Sequence, residues 1–466
     1  MEAKYVLFSI ALLVGVPIGI MVCLIRPAIT KLVLIVLVWA TCEPNMVGIN
    51  FASREFYRAN TRGFELTLAD LCTLVLMGFM LVKRQDYPIR WFPPLTLPTL
   101  GYLLVGLISW TMTGPSLAVP PEAVHVPYTV FEVGLYPLFE LLKIVRGFLL
   151  YWAIVNYVRD EQAARELLIA IAVAALYMGY LAITSRYLHG VNRVQATLGH
   201  PNSLATYMAM LGSFSFAFVL QSSTLFPSLM FGILTLLCMV SVILTISRGG
   251  LGALFLGLWL NTVVLLPRHL SLKNMAILLM SVLMVGIMLF VAMDTLMARF
   301  SGEQDAGADL AYRGKYNAEA KMMAHDHVWG VGLGNFSAWS WERYAEQVDP
   351  DLSPGTPAHN NWYLTLGEMG VPGVIALAIF WIRYFLLAAP FYLRVKKDTL
   401  STMAMAGCTA VIVDQLQSLL QLGYRQTPMY FMMMIFVGVT VAAWYARREQ
   451  STAKPLTETA SPQESI

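Results

Sequence analysis

The stretch "HNNWYLTLGEMGVPGVIALAIFWIRYFLLAA" (359–389) decides the fold class. From Asn361 onward it is a continuous apolar run, without the alternation of polar and apolar residues that a strand would show. A bilayer core about 30 Å thick needs roughly 20 apolar residues in a helix. The run is long enough to cross a membrane as a helix, and the short alternating strands of a transmembrane β-barrel are not indicated.

The composition of the whole chain agrees with this interpretation. Of its 466 residues 58% are hydrophobic and only 13% are charged, whereas an ordinary soluble domain is about a quarter charged. The five cysteines lie in or beside apolar runs without CxxC spacing, which predicts buried thiols and neither disulfides nor a metal site. A net charge of +3 identifies no partner, and we expect no nucleic acid to bind.

We predict an all-α polytopic membrane protein with twelve or thirteen transmembrane helices. The second of the thirteen apolar windows is short, which leaves twelve open. The windows are 5–25, 29–42, 66–82, 97–112, 135–157, 166–184, 202–221, 226–246, 250–266, 275–297, 361–389, 399–420 and 429–446.

Basic residues between the windows predict the orientation of the chain. With these windows, five basic segments fall on the same side of the membrane, and the positive-inside bias assigns that side to the cytoplasm. The five segments are 83–90, 158–165, 267–273, 394–398 and 446–449. The N-terminus is then external with thirteen spans and cytoplasmic with twelve.

The longest connection predicts a separate unit on the opposite, outer side. We divide the chain into transmembrane helices 1–10 (1–297), a large loop (298–360), C-terminal transmembrane helices (361–446) and a disordered cytoplasmic tail (447–466). Loops beyond about 15 residues are usually functional or disordered. Within the loop, "DLAYRGKYNAEAKMMAHD" (309–326) is typical of an amphipathic surface helix, and "GVGLGNF" (330–336) of a turn.

Two arginines on the outer side are candidates for binding an anion. Arg193 precedes a span and Arg248 lies at the joint between two spans. A guanidinium donates two parallel hydrogen bonds to phosphate, and Gly249 and Gly250 offer backbone amides at a helix start. The alternative is that both arginines only extend toward the lipid interface. Arg186 competes with Arg193 for the role.

His359 is the candidate acid–base residue. It ends the long loop and stands before a helix, next to Asn360 and Asn361. A neutral imidazole near pH 7 can accept a proton from an attacking hydroxyl, and the amides can orient it or hold sugar hydroxyls. The alternative is an asparagine N-cap with the histidine packed at the interface.

Charged side chains within the spans are costly and tend to mark function. Glu140, Lys143 and Arg146 share one helix face, either as a self-neutralising ladder or as substrate contacts. Other polar groups within spans either line a cavity or bond neighbouring helices, namely Glu368, Asp414, Gln415 and Gln417. "HDH" (325–327) offers metal ligands that point apart on a helix without an evident third one, so we expect no metal and no cofactor.

Four motifs resemble the O-antigen ligase/polymerase superfamily (Wzy-C type). In chain order they are "RVQATLGHPNSLA" (193–205), "SRGGLGA" (247–253), "AHDHVWGVGLGNF" (324–336) and "AHNNWYLTLGEMGVPG" (358–373). The resemblance implies a GT-C-like bacterial inner-membrane glycosyltransferase with its active site facing the periplasm. It also implies a glycan donor on undecaprenyl diphosphate, with the diphosphate on Arg193 and Arg248 and the acceptor hydroxyl at His359.

Within the superfamily we favour a metal-independent polymerase of lipid-linked repeat units for exopolysaccharide or O-antigen. An O-antigen ligase acting on lipid A core, a protein O-glycosylating transferase and a transporter of lipid-linked sugar remain open. Expected partners are the lipid-linked donor, membrane lipid, the acceptor glycan, a chain-length regulator and a flippase. Candidate substrate contacts are Asn202, Arg313, Asn360, Arg146 and Arg425.

Overall fold

The computed structural model describes residues 3–43, 48–51, 64–86, 88–113, 130–222, 224–265 and 303–453, with isolated residues between 271 and 287. The N-terminal helix consists of α1 (Ala3–Ile10), a π-helical turn (Ala11–Gly15) and α2 (Val16–Ile25). The next helices are α3 (Ile29–Ala40), α4 (Leu68–Val82), α5 (Thr96–Thr113), α6 (Val130–Tyr157), α7 (Glu161–Tyr187), α8 (Pro201–Gln221), α9 (Leu225–Leu244) and α10 (Arg248–Leu265).

The large loop and the C-terminal part are also helical. The loop holds α11 (Glu303–Asp326), α12 (Phe336–Trp339), a π-helical turn (Ser340–Tyr344) and α13 (Ala345–Val348). The C-terminal helices are α14 (Asn361–Leu393), α15 (Thr399–Gln417) and α16 (Thr427–Ala453). α16 extends seven residues into the segment predicted as a tail, and residues 454–466 lie outside the described part.

The prediction of an all-α polytopic membrane protein is confirmed. Among the described residues, 8 helices are long and apolar enough to cross a membrane, and three shorter apolar helices (α3, α4, α5) accompany them. Twelve of the thirteen predicted spans coincide with helices. The remaining one, 275–297, lies outside the described residues apart from isolated positions.

The helix α8 forms the centre of the bundle. Its apolar window is 100% buried, whereas that of the N-terminal helix is only 11% buried. A helix that is apolar on all sides belongs in the middle of a bundle, and one with an exposed apolar surface belongs next to lipid. α8 packs against α9, α10 and α15, the helices that position the candidate site.

The basic segments lie together at one end of the bundle, as their sequence predicted. The backbone amide of Arg90 donates to Asn156, and the Arg159 guanidinium donates to the carbonyl of Pro88. Arg447 donates to the carbonyl of Arg394. These contacts join segments 83–90, 158–165, 394–398 and 446–449; segment 267–273 lies outside the described residues except for one position.

At the other end, the loop packs onto α14. The predicted amphipathic helix is present as α11, and its buried residues Tyr316, Ala320 and Met323 join a small apolar core with Leu364 of α14. A two-stranded antiparallel ribbon, Gly48–Phe51 with Phe64–Thr67, was not predicted from the sequence.

The "GVGLGNF" turn docks on a kink in α14. The amides of Val331 and Gly332 donate to the carbonyls of Gly367 and Glu368, at 3.0 and 2.9 Å. These carbonyls are accessible because Gly370 has φ 63° and ψ −167°, which interrupts the helix. A side chain at Gly370 would place its Cβ 1.9 Å from the carbonyl oxygen of Val328. The contact therefore requires glycine, both for the positive φ and for the lack of space.

Candidate functional site

Arg193 lies against the joint between α9 and α10. Its Nε donates to the carbonyl of Thr245 at 3.3 Å, and its Nη2 donates to Oδ1 of Asn202 at 3.0 Å. The backbone amide of Val194 donates to the carbonyl of Leu244, which ties the same segment to the end of α9. The two predicted anion-binding arginines are thereby brought to one corner, because Arg248 begins α10 three residues after Thr245.

The "HPN" triplet (200–202) explains why Arg193 is held there. His200 caps α8, since its Nδ1 accepts the backbone amide of Asn202 at 3.1 Å. Burial and the nearby Arg193 guanidinium lower the pKa of His200, so the ring stays neutral and keeps the lone pair that the cap needs. Arg186, the competing candidate, instead donates to Asn192 within its own loop.

The start of α10 approaches its neighbours closely. A Cβ on Gly250 would lie 2.5 Å from Cβ of Ala205 on α8, so only glycine permits this packing. The same closeness leaves Gly249 within reach of Gln417 at the end of α15. In the orientation that satisfies its surroundings, the side-chain amide of Gln417 donates through its nitrogen to the carbonyl of Gly249 at 2.9 Å. Its oxygen accepts from the backbone amide of Gly250 at 3.3 Å.

The segment that follows Gln417 connects this corner to the start of α14. We call residues 417–421 the bridging corner. The carbonyl of Ser418 accepts from the backbone amide of Asn361 at 2.9 Å, and that of Leu419 accepts from Nδ2 of Asn360 at 3.1 Å. Arg313 of the loop helix donates to the carbonyl of Leu420 at 3.0 Å. The corner therefore joins α10, α11 and α14.

His359 precedes α14 and is half-buried. Its Nδ1 lies 3.0 Å from the carbonyl of Pro357 and donates to it in the neutral form, which places the ring lone pair on Nε2. The ring centroid of Tyr316 lies 6.2 Å away. Asn360 is the N-cap of α14, because its Oδ1 accepts from the amides of Trp362 and Tyr363. The asparagine cap of the alternative is present, and the carbonyl of Pro357, rather than an asparagine amide, holds the ring of His359.

Arg146, by contrast, lies inside the bundle with Asp70 of α4. Its Nε and Nη2 donate to the two carboxylate oxygens at 2.9 and 2.7 Å, and the Phe431 ring lies 5.2 Å from the guanidinium. The Thr67 amide and hydroxyl also donate to Asp70, as a capping box for α4. A bidentate pair of this kind compensates both charges, so Arg146 pairs with Asp70 inside the bundle.

Arg425 belongs to a second buried charge cluster. Its guanidinium pairs with Glu368 and lies 3.9 Å from Glu140, while Lys143 donates to Glu140 and to the Arg425 carbonyl, both at 2.8 Å. Of the predicted ladder, Glu140 and Lys143 do pair with each other, whereas Arg146 pairs with Asp70. Gln426, next to Arg425, accepts from the Ser203 hydroxyl and so connects this cluster to the Arg193 region.

Sequence reasoning missed two buried acids, Asp70 of α4, which pairs with Arg146, and Glu319 of α11. Glu319 differs from Asp70 in its contacts. It is 0% exposed, and neither carboxylate oxygen has a hydrogen-bond partner among the described residues. Burial raises its pKa to about 7. The available signal was its position in the apolar stripe Tyr316, Glu319, Ala320, Met323, which has the spacing of a helix face.

The metal pattern "HDH" has other contacts. His325 is exposed and lies 3.2 Å from Asp326, while the His327 ring packs edge-on against Trp339. In the part of the chain that the structure describes, no group of three metal-type ligands occurs.

The fold and this end of the bundle define a polytopic membrane protein with a cationic corner joined to a histidine-bearing loop. Residues 231–378 match the family model described as O-antigen ligase. This match supports the O-antigen ligase/polymerase superfamily that the four motifs resemble and indicates a membrane enzyme of ligase or polymerase type. No curated protein matches the chain.

Proposed function

We propose that this protein is an inner-membrane glycosyltransferase that polymerises oligosaccharide repeat units linked to undecaprenyl diphosphate. One observation carries the proposal: Arg193 and the start of α10 with Arg248 meet at one corner, and the bridging corner ties them to the start of α14 beside His359. With the basic segments in the cytoplasm, this end of the bundle faces the periplasm.

The two guanidiniums bind the donor diphosphate. Arg193 is held at this corner by its hydrogen bonds to the carbonyl of Thr245 and to Oδ1 of Asn202. Guanidiniums grip phosphate oxygens through parallel hydrogen bonds, and the amides at the start of α10 add the positive end of a helix dipole. Negative charge that develops on the leaving diphosphate is stabilised by groups already in place.

His359 receives the proton of the acceptor hydroxyl. The acceptor oxygen attacks the anomeric carbon, the bond from that carbon to the phosphate oxygen breaks, and the hydroxyl proton passes to Nε2. Polyprenyl diphosphate leaves with the bonding electrons, and the configuration of the anomeric carbon inverts. The Nδ1 bond to Pro357 supports this role because it fixes the tautomer with a basic Nε2.

Purified protein in proteoliposomes tests the proposal with lipid-linked repeat units as the only substrate. A ladder of glycan lengths supports a polymerase. Absence of products under these conditions, together with transfer once lipid A core is added, contradicts polymerisation and supports a ligase. The ligase is the second candidate because the matching family model carries that description.

Replacement His359→Ala separates either enzyme from a transporter of lipid-linked sugar. We expect glycan transfer to fall about 10²- to 10⁴-fold, because a positioned general base contributes that much. The folded yield should stay unchanged, since the cap on α14 comes from Asn360. Translocation of lipid-linked sugar without glycan transfer in the wild type would contradict the enzymatic proposal.

A further inference from the structure

Glu319 lies on the face of α11 that packs against α14. The two helices approach closely beside it, since a Cβ on Gly367 would lie 3.3 Å from the Cα of Ala320. The carboxyl group of Glu319 is fully buried, and neither oxygen has a hydrogen-bond partner among the described residues. Such an interface tolerates the protonated acid far better than the carboxylate, because a buried charge without donors loses its hydration.

Two opposing effects act on the pKa of Glu319. Burial raises it and the nearby hydroxyl of Ser340 lowers it; burial is the larger effect, and the pKa rises to about 7. The oxygen of Ser340 also accepts from the backbone amide of Gly355 at 3.0 Å, which fixes the hydroxyl in the segment that follows the π-helical turn. Glu319 therefore changes its charge near neutral pH.

The charged and titratable groups around α11 face solvent or contact other partners. On α11 itself, Lys315 pairs with Asp349. Lys321 lies over the ring of Tyr363 of α14, 5.4 Å from its centroid. The elements packed against α11 carry further such groups, of which the first three are exposed and the last two bond to Asp326 and Arg425, namely Glu342, Arg343, Glu346, Tyr344 and Glu368. An ionised Glu319 would therefore need water, which reaches it when α11 moves away from α14.

The same helix forms the loop side of the candidate site. The ring centroid of Tyr316, about one turn before Glu319, lies 6.2 Å from that of His359. Arg313, nearly one further turn away, donates to the carbonyl of Leu420 in the bridging corner at 3.0 Å. Because both side chains belong to α11, a movement of this helix away from α14 changes the surroundings of His359.

We propose that protonated Glu319 is a positioning residue, which keeps α11 against α14 and thereby holds the surroundings of His359 in place. When Glu319 loses its proton, α11 moves outward, and Tyr316 and Arg313 withdraw from His359 and the bridging corner. The inference rests on the proposed function, because it assigns the alkaline limit of glycan transfer to a residue outside the reacting atoms. The acid limit has another origin, since His359 must be neutral to accept the proton of the acceptor hydroxyl.

The pH profile of glycan transfer tests the proposal. Full-length protein in proteoliposomes is given lipid-linked repeat units, and kcat/KM is measured from about pH 5 to pH 9. The wild type is compared with Glu319→Gln, which keeps the shape of the side chain without an ionisable proton. Glu346→Gln, at an exposed acid of the same loop, is the matched control.

In the wild type and the control, kcat/KM should fall about tenfold or more between pH 7 and pH 9, because loss of one proton removes the active arrangement. Glu319→Gln should keep its activity over this range, with an unchanged fall on the acid side. An alkaline fall in Glu319→Gln equal to that of the wild type overturns the proposal, as does its disappearance in Glu346→Gln. Absence of transfer by the wild type at every pH contradicts the proposed function instead.

Labelling of an introduced cysteine follows the position of α11 directly and needs neither transfer activity nor the glutamine variant. Met323→Cys places a thiol on the buried face of α11, and Lys321→Cys places one on its exposed face, which corrects for ionisation of the thiol. The five native cysteines are buried.

The ratio of the maleimide labelling rate in Met323→Cys to that in Lys321→Cys should rise about tenfold or more between pH 6 and pH 9, because ionised Glu319 opens the interface. A ratio that stays constant over this range overturns the proposal, whether or not glycan is transferred.

Discussion

The bundle interior and its loop end treat charged side chains differently. Inside the bundle, Asp70 holds Arg146 with two hydrogen bonds, and Glu368 pairs with Arg425. At the loop end, Arg193 binds neutral oxygens and Glu319 has no hydrogen-bond partner among the described residues. Paired ions hold helices together, whereas a buried acid without a counter-ion, such as Glu319, retains the capacity to bind a proton.

Breaking a pair inside the bundle should have the largest effect. Arg146→Ala leaves Asp70 buried without its counter-ion, which costs about 3–5 kcal/mol, so the yield of monodisperse protein and its unfolding temperature in detergent should drop. The double variant Asp70→Ala/Arg146→Ala should recover part of the loss, since no lone charge remains. A single variant as stable as the wild type would contradict the structural role of this arginine.

Glu319, the fully buried acid of the loop, should make the stability of the loop depend on pH. The pKa of Glu319 is raised from 4.5 to about 7, so the folded loop retains a proton that the unfolded chain releases. The protonated Glu319 then contributes about 3 kcal/mol to the free energy of unfolding of the loop below about pH 4.5, and this contribution is lost as the pH rises through 7.

Hydrogen exchange of segment 303–360 between pH 4 and 8, corrected for intrinsic rates, measures this change. Glu319→Gln should flatten the dependence, because an amide does not titrate in this range. Glu346→Gln is the matched control on the same loop, with an exposed acid in place of a fully buried one. An identical pH dependence in Glu319→Gln and wild type would refute the prediction.

Replacing Arg248 should weaken ligand binding without destabilising the fold. Arg248→Ala should weaken binding of the lipid diphosphate by roughly 10- to 100-fold, since hydrogen bonds to charged groups contribute about 1.5–3 kcal/mol. Arg248→Lys should recover only part of it, because lysine keeps the charge without the planar fork. Donor affinity measured by isothermal calorimetry, with the unfolding temperature as control, decides; unchanged affinity argues against a diphosphate site.

The smallest expected effect lies in the bridging corner. Gln417→Ala removes two hydrogen bonds to the start of α10, each contributing about 1 kcal/mol, and should lower kcat by about 5- to 30-fold while the KM for donor changes little. Gln415→Ala, at a neighbouring glutamine whose amide donates to Asp414 of the same helix, is the control. Equal effects of the two substitutions would remove Gln417 from a positioning role.

Much of the fold was predictable because apolar run length and basic connections act locally. The alternation of apolar runs with segments 83–90, 158–165, 394–398 and 446–449 gave both the spans and their common end. The helix in the loop followed from its periodic apolar positions. The ribbon escaped prediction because its eight strand residues lack a distinctive apolar pattern and pair only across an intervening segment.

The candidate site was predictable only as a set of residue types. Sequence favoured Arg193 with Arg186 as a competitor, and the structure places Arg193 against Thr245 whereas Arg186 bonds to Asn192. It offered Gln417 either as a cavity residue or as a helix contact, and the structure shows the contact with Gly249. Partners distant in sequence, such as Asp70 for Arg146, have no local signature.

The sequence by itself determined a helical membrane protein, the end of the bundle that collects its basic segments, and which motifs carry arginine and histidine. Those properties depend on the transfer of local segments into lipid, which composition alone fixes. The tertiary structure decided which charged side chains pair with one another, and that Arg193 contacts the joint between α9 and α10. Both depend on contacts between residues far apart in the chain, whose distances only packing sets.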